Sequence, residues 1–175
     1  MGKSKKVKNT ISTIPAVVND IVTSFNGVRI DFKDNHRWLK SDKQDKFTNY
    51  LQSNNDFGKM VYTILNKIIP MIQTEWTEIK SNRFKHCHPI DAKHKEVFHE
   101  YFKIMYPKYD LDELNVWQFG VSGGARLIAS ITNEENGISI VRPLFVDYHH
   151  LIYPSEKHNQ NDVFKYKFCP YNEYD

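Results

Sequence analysis

The sequence predicts an α+β domain in which helices pack on one face of a small antiparallel sheet that ends in a three-stranded meander. Three observations lead there. An apolar stripe at three- and four-residue steps fills the middle of the chain, the last third breaks into short apolar runs, and glycine-bearing turns separate those runs. The chain has 175 residues, 40% of them apolar and 14% aromatic. That is enough for one core and excludes a disordered chain.

The first element is a basic flexible tail: residues 1–8 carry four lysines and almost no apolar content. Residues 9–175 read as a single domain. Pro15 suits a first helical turn, and Val17, Val18, Ile21, Val22 and Phe25 follow at helical spacing until Asn26-Gly27 stops the helix. Val28 to Phe32 alternates apolar and polar residues, as a half-buried strand does. From Asp42 to Ile79 the pattern is helical, with Ser53–Asp56 separating a first helix from a longer one. Pro70 lacks an N–H, so a kink or break is expected near Ile69. Leu65 belongs to the expected buried stripe.

Another helix is expected from about Asp91 to Tyr106, ended by Pro107. Strands follow at 116–122 and 125–131, and a third begins at Ile138 and continues to His150 past Pro143. Pro143 cannot donate to a ladder and marks a strand edge or a bulge. From about residue 154 the chain reads as an irregular wrap anchored by Phe164, Tyr166 and Phe168.

Composition narrows the function classes. No run approaches the roughly 18 apolar residues of a membrane span, and the basic start is not followed by a secretory pattern. Cys87 and Cys169 form no CxxC pair, so neither a disulfide framework nor a four-cysteine zinc cage is expected. Twenty-four basic against twenty-one acidic residues leave a formal charge of +3, which permits a polyanionic partner. The expectation is a cytoplasmic protein with no membrane partner.

Two features carry chemistry. His149 and His150 close the meander, and on an extended strand they face opposite sides, so one of them serves a given surface as general acid or base. Arg126 follows a Gly-Gly turn on a strand whose other parity, Leu127, Ala129 and Ile131, is apolar. Pointing away from that face, it is placed to grip a phosphate with a bidentate fork.

The string Trp117-x-Phe119-x-Val121-x-Gly-Gly-Ala-Arg126-Leu-Ile-Ala-Ser-Ile131, followed by Gly137-Ile-Ser-Ile-Val141 and a His-bearing end, resembles the RelE/YoeB family of ribosome-dependent mRNA-cleaving toxins. The resemblance covers mainly residues 116–153. It implies a toxin-like endoribonuclease whose 2′-hydroxyl attack needs no metal and no cofactor. It further implies Arg126 as the phosphate-binding arginine, His149 or His150 as the terminal acid or base, and Tyr153 in place of the family's terminal tyrosine. Arg83 and Lys85 are the nominees for substrate binding near the scissile phosphate. The implied partners are mRNA on the ribosome and a cognate antitoxin.

Other readings start from other residues. His86-Cys87-His88 with His94 and His99 suggests zinc, and Arg83-x4-His88 resembles the motif of HEPN ribonucleases. The tyrosines of 148–174 suit a non-catalytic protein-binding module or inhibitor, of the kind phages and plasmids carry as accessory proteins.

Overall fold

The computed structural model describes residues 27–33, 37–110, 113–122, 124–155 and 160–174. The basic tail and the helix expected after Pro15 lie outside them. The elements are β1 (Val28–Ile30), α1 (Asn54–Thr63), a π-helical turn (Ile64–Ile68), α2 (Ile69–Thr74), α3 (Trp76–Lys80), β2 (His88–Pro89) and α4 (Lys95–Met105). Then come β3 (Val116–Gly120), β4 (Arg126–Asn133), β5 (Ser139–Asp147), a short 3-10 turn and α5 (Pro170–Tyr174).

The fold is α+β, and β3, β4 and β5 form the expected antiparallel meander. The sheet has five strands in the order β1-β5-β4-β3-β2. It is mixed rather than antiparallel, because β1 runs parallel to β5 with Val28 opposite Ser139 and Ile30 opposite Val141.

Helices cover both faces of this sheet, which corrects the expectation of one covered face. Trp117, Phe119, Leu127 and Val146 pack with Ile64, Ile68, Ile72 and Trp76 of the α1–α3 run. The alternate residues Val116, Ile128 and Phe145 pack with Phe98, Tyr101 and Phe102 of α4. The strands carry the reason: β3 is buried at every position and β4 over Arg126–Ile131, whereas a one-sided sheet would alternate. Two amphipathic helical stripes each need a sheet face, and the sheet offers two.

The helix expected over 42–53 is absent. That stretch is an extended loop pinned by a bridge between Lys43 and Thr48 and another between Leu51 and Phe168. Asn49 organises it. Its Oδ1 accepts from the Asp42 N–H and the Tyr101 hydroxyl at 2.8 Å each, while its Nδ2 donates to the carbonyls of Lys40 and Val146. A buried amide that fills all four of its bonding positions holds a loop as firmly as a helix would.

Ser53 caps α1 by accepting from the Asp56 N–H. The break expected near Ile69 is the π turn, in which the Ile69 N–H reaches back to the Ile64 carbonyl. Pro70 then falls in the first turn of α2, where its missing N–H costs nothing. The wider turn moves Leu65 out of the stripe, and it is 51% exposed. Pro143 pairs with Ala129 at a bulge between Ile128 and Ala129, so an interior strand tolerates it. β5 stops at Asp147, short of His150. Among the described residues no helix is long and apolar enough to cross a membrane.

Asn49→Ala is expected to destabilise the fold by about 2–4 kcal/mol, because it strips partners from a buried hydroxyl and from the carbonyls of Lys40 and Val146. Urea denaturation followed by circular dichroism measures this loss.

Candidate functional site

The site begins with a carboxylate that ends a strand. Asp147 is fully buried, and its two oxygens accept from the N–H groups of His149, Leu151 and Ile152. Those bonds turn the chain sharply after β5 and place His150 at φ +59, a left-handed conformation uncommon for a residue with a side chain. Burial raises the Asp147 pKa, against the three N–H bonds and the nearby His149, which favour the carboxylate.

Because of that turn the two adjacent histidines part company. His149 leaves the site: its Nε2 lies 2.7 Å from the Tyr50 carbonyl, to which it donates, and its ring sits beside Tyr166. His150 turns the other way, toward Tyr153, with the two rings stacked at 6.1 Å. Three residues on, Tyr153 is the hub. The His94 ring lies 4.0 Å from it and the His88 ring 5.2 Å, while its hydroxyl accepts from the Asp91 N–H.

Hydrogen bonds assign where several of these rings hold their protons. His94 Nδ1 is 2.7 Å from an Asp91 oxygen and donates to it, which leaves Nε2 with its lone pair. The same carboxylate oxygen accepts from the His94 N–H at the start of α4. Burial alone raises the Asp91 pKa, but these bonds outweigh it and hold the carboxyl below its ordinary value. His88 donates from Nδ1 to the Pro89 carbonyl and accepts at Nε2 from Gln118. His86 accepts at Nδ1 from Arg126 Nη2 at 3.3 Å, so its proton sits on Nε2. Its pKa is lowered by burial first and by the Arg126 charge second.

His150 is the most perturbed member. Burial, then the charges of Arg126, His86, His88 and His94, push its pKa down to about 4. Its Nδ1 is buried and unpartnered, as are Arg126 Nε and Gln118 Oε1. Three of the five such atoms among the described residues therefore belong to one cluster. Native folds rarely leave buried polar atoms unpaired, which singles this cluster out.

The sequence-predicted residues separate into three groups. Arg126, His150 and Tyr153 come together. His149 does not join them. Arg126 also differs from its expected posture: it is 3% exposed, not an open fork. Its side chain folds over Gly120, where an added Cβ would fall 2.4 Å from Arg126 Cδ. Its Nη1 donates to the carbonyls of Val121, Gly124 and Ala125. The face expected to be open is the one that α4 covers, so the guanidinium ties the β3–β4 turn and lends its charge to the histidines from behind. Arg83 is engaged by Glu78 at 2.9 Å on the surface. Lys85 is exposed, and its charge is felt at His86.

The sequence suggested His86 and His94 only as zinc ligands and His88 also through the HEPN-like spacing from Arg83, and it gave no site role to Asp91, Gln118 or Asp147. The Asp91-x-x-His94 spacing ahead of an amphipathic helix was the available signal. Among the described residues no three His, Cys, Asp or Glu side chains are arranged to hold a metal ion. What the arrangement supplies is a set of imidazoles with distinct proton positions packed around one phenol. That set can move protons between two atoms of a substrate.

Comparison with known proteins places the chain in a family. The family model described as "Uncharacterised protein UU032" matches residues 33–175, and the chain belongs to that family. It is similar to the protein UU032 of Ureaplasma parvum serovar 3, with 32% identity over 177 residues covering 98% of this chain and 96% of the relative. No solved structure matches.

The His150 environment has a consequence for stability. A histidine whose folded pKa is about 4 against 6.5 unfolded costs nothing above pH 6.5. As pH falls toward 4 the unfolded chain takes up the proton first, so the fold loses stability, by about 3 kcal/mol at the limit. His150→Gln is expected to flatten the dependence of the denaturation midpoint on pH between 6.5 and 4.

Proposed function

We propose that the cluster around Tyr153 is a metal-independent ribonuclease site that cleaves mRNA by attack of a 2′-hydroxyl on the adjacent phosphorus, in the manner of RelE/YoeB toxins. The observation that carries this reading is the packing of His88, His94 and His150 on one tyrosine ring, at 5.2, 4.0 and 6.1 Å. The environments of His94 and His150 differ: one has a carboxylate behind it, the other lies near the Arg126 guanidinium.

The chemistry needs a base, an acid and donors for the phosphate. His150, kept unprotonated at neutral pH by burial and by the Arg126 charge, takes the proton from the 2′-hydroxyl as the O2′–P bond forms. His94, whose Nδ1–H is held by Asp91, is the acid in the form that carries a proton on Nε2, and gives that proton to the 5′-oxygen as the P–O5′ bond breaks. The products are a 2′,3′-cyclic phosphate and a 5′-hydroxyl. His86, with Nδ1 engaged by Arg126, offers Nε2–H to the phosphate. Arg126 acts through His86 and through its charge, a positioning residue in place of the direct phosphate ligand the family resemblance implies. Cytoplasmic mRNA, on the ribosome, and a cognate antitoxin are the partners that go with this reading.

A second reading, a non-catalytic protein-binding module, has one observation in its favour. Tyr62 and Leu65 are both exposed and stand three residues apart where α1 meets the π turn.

Purified protein incubated in EDTA with end-labelled RNA, with and without ribosomes, is expected to yield 2′,3′-cyclic phosphate ends. His94→Ala and His150→Ala should each slow this roughly a hundredfold to ten-thousandfold. Intact RNA under both conditions, with no growth defect on expression in bacteria, would leave the binding module as the reading.

A further inference from the structure

Two cavities lie along α4 beyond the histidine cluster. The smaller, about 190 Å³, is walled by Pro89, Ile90, Lys95, Phe98, His99 and Asn115 among others. It shares the 88–95 segment with the cluster, since His88, Asp91 and His94 each adjoin one of its residues in the chain. The larger, about 510 Å³, lies toward the other end of the helix, with Phe102, Tyr106 and Tyr109 as aromatic walls and Asp31, Ser130, Thr132 and Arg142 as polar ones. Leu114 lines both cavities, so they adjoin. Lys95, Phe98, His99 and Phe102 recur at three- and four-residue steps, which puts them on one stripe of α4. The stripe from Lys95 to Phe102 covers about 10 Å of a helix that is about 17 Å long, at 1.5 Å for each of its eleven residues.

The chemistry along this track is graded. Lys95 stands exposed at the cluster end. At the far end Arg142 donates to the Thr132 hydroxyl at 2.7 Å, with Asp31 3.7 Å from its Nε. Tyr109 is 59% exposed beside the larger cavity. Cations set apart along a groove, with an open aromatic face near one of them, suit a strand whose phosphates are spaced and whose bases are unstacked. A duplex keeps its bases stacked on one another and gains nothing from the aromatic wall.

We propose that the track along α4 binds single-stranded RNA, with an unpaired base in the aromatic cleft against Tyr109 and the backbone passing Lys95 on its way to the histidine cluster. Its choice of RNA as the strand rests on the ribonuclease reading. Arg142 then meets the phosphate of the docked nucleotide.

The test uses the full chain and a fluorescent 2′-O-methyl oligoadenylate, whose blocked 2′-oxygens prevent cleavage, read by anisotropy. The strand is expected to bind with an affinity that falls as salt rises, and a duplex of the same length to bind more weakly. Tyr109→Ala and Lys95→Ala, both at exposed positions, should each weaken binding at least about fivefold while leaving the melting curve unchanged. No binding by the wild type, or equal affinity in both variants, overturns the proposal. The two readings fail separately. Binding that depends on Tyr109 and Lys95 without cleavage of unmodified RNA keeps the track and discards the nuclease, whereas cleavage at full rate by the Tyr109→Ala/Lys95→Ala double variant does the reverse.

Discussion

The geometry of the site depends on one buried carboxylate. Asp147 accepts three backbone N–H groups within five residues of itself, and each bond constrains the chain that leaves β5. Without them the strand would continue, His149 and His150 would keep strand alternation, and Tyr153 would lie several residues farther along the sheet. With them the chain doubles back. His150 takes a left-handed backbone, His149 is sent to the Tyr50 carbonyl, and Tyr153 arrives beside the 88–94 segment. A left-handed non-glycine residue costs of order 1 kcal/mol or more, and it persists only where surrounding bonds overdetermine it.

The second constraint is the sheet's need for two covers. Because α4 buries one face and the α1–α3 run the other, a charged side chain on β4 cannot simply point into water. Arg126 meets this by lying in the groove that Gly120 leaves open and by donating to three carbonyls of the turn it ends. The same arrangement explains why the phosphate-gripping fork expected from the sequence is closed. A guanidinium spent on three carbonyls stiffens a hairpin. Its charge still reaches the histidines through a medium of low dielectric.

The legible and illegible parts of the structure divide on physical lines. Periodicity exposed the α4 stripe, the break before Pro70 and the three strands of the meander, because local spacing alone sets those. The loop at 42–52 read as helix because its apolar residues, Phe47 and Leu51, fall at a helical step. They enter two different cores, and only Asn49, bonded to partners as far off in sequence as Val146, reveals the loop. The same limit applies to the site. His150, Tyr153 and Arg126 were visible as residues at the end of a hairpin, whereas Asp91, Gln118 and Asp147 matter through contacts with segments remote in sequence. Long-range pairing of that kind leaves no period to read.

Charge settles how such a crowded set of imidazoles divides its labour. Two unit charges about 6 Å apart repel by roughly 3 kcal/mol at an effective dielectric constant near 20. Arg126 is already charged behind His86 and His150, so a proton on His94 discourages one on His150. The Asp91 carboxylate bonds His94 and none of the others, which puts the negative charge on that side of the cluster. In the ribonuclease proposed above, acid and base would thus be separated without separate pockets, by one carboxylate on one side and one guanidinium on the other. An anion entering between them would offset the guanidinium and raise the proton affinity of His150 at the moment a base is required. In the proposed ribonuclease, a phosphate would thereby strengthen His150 as a base, and a neutral ligand of the same shape would leave it as weak a base as before.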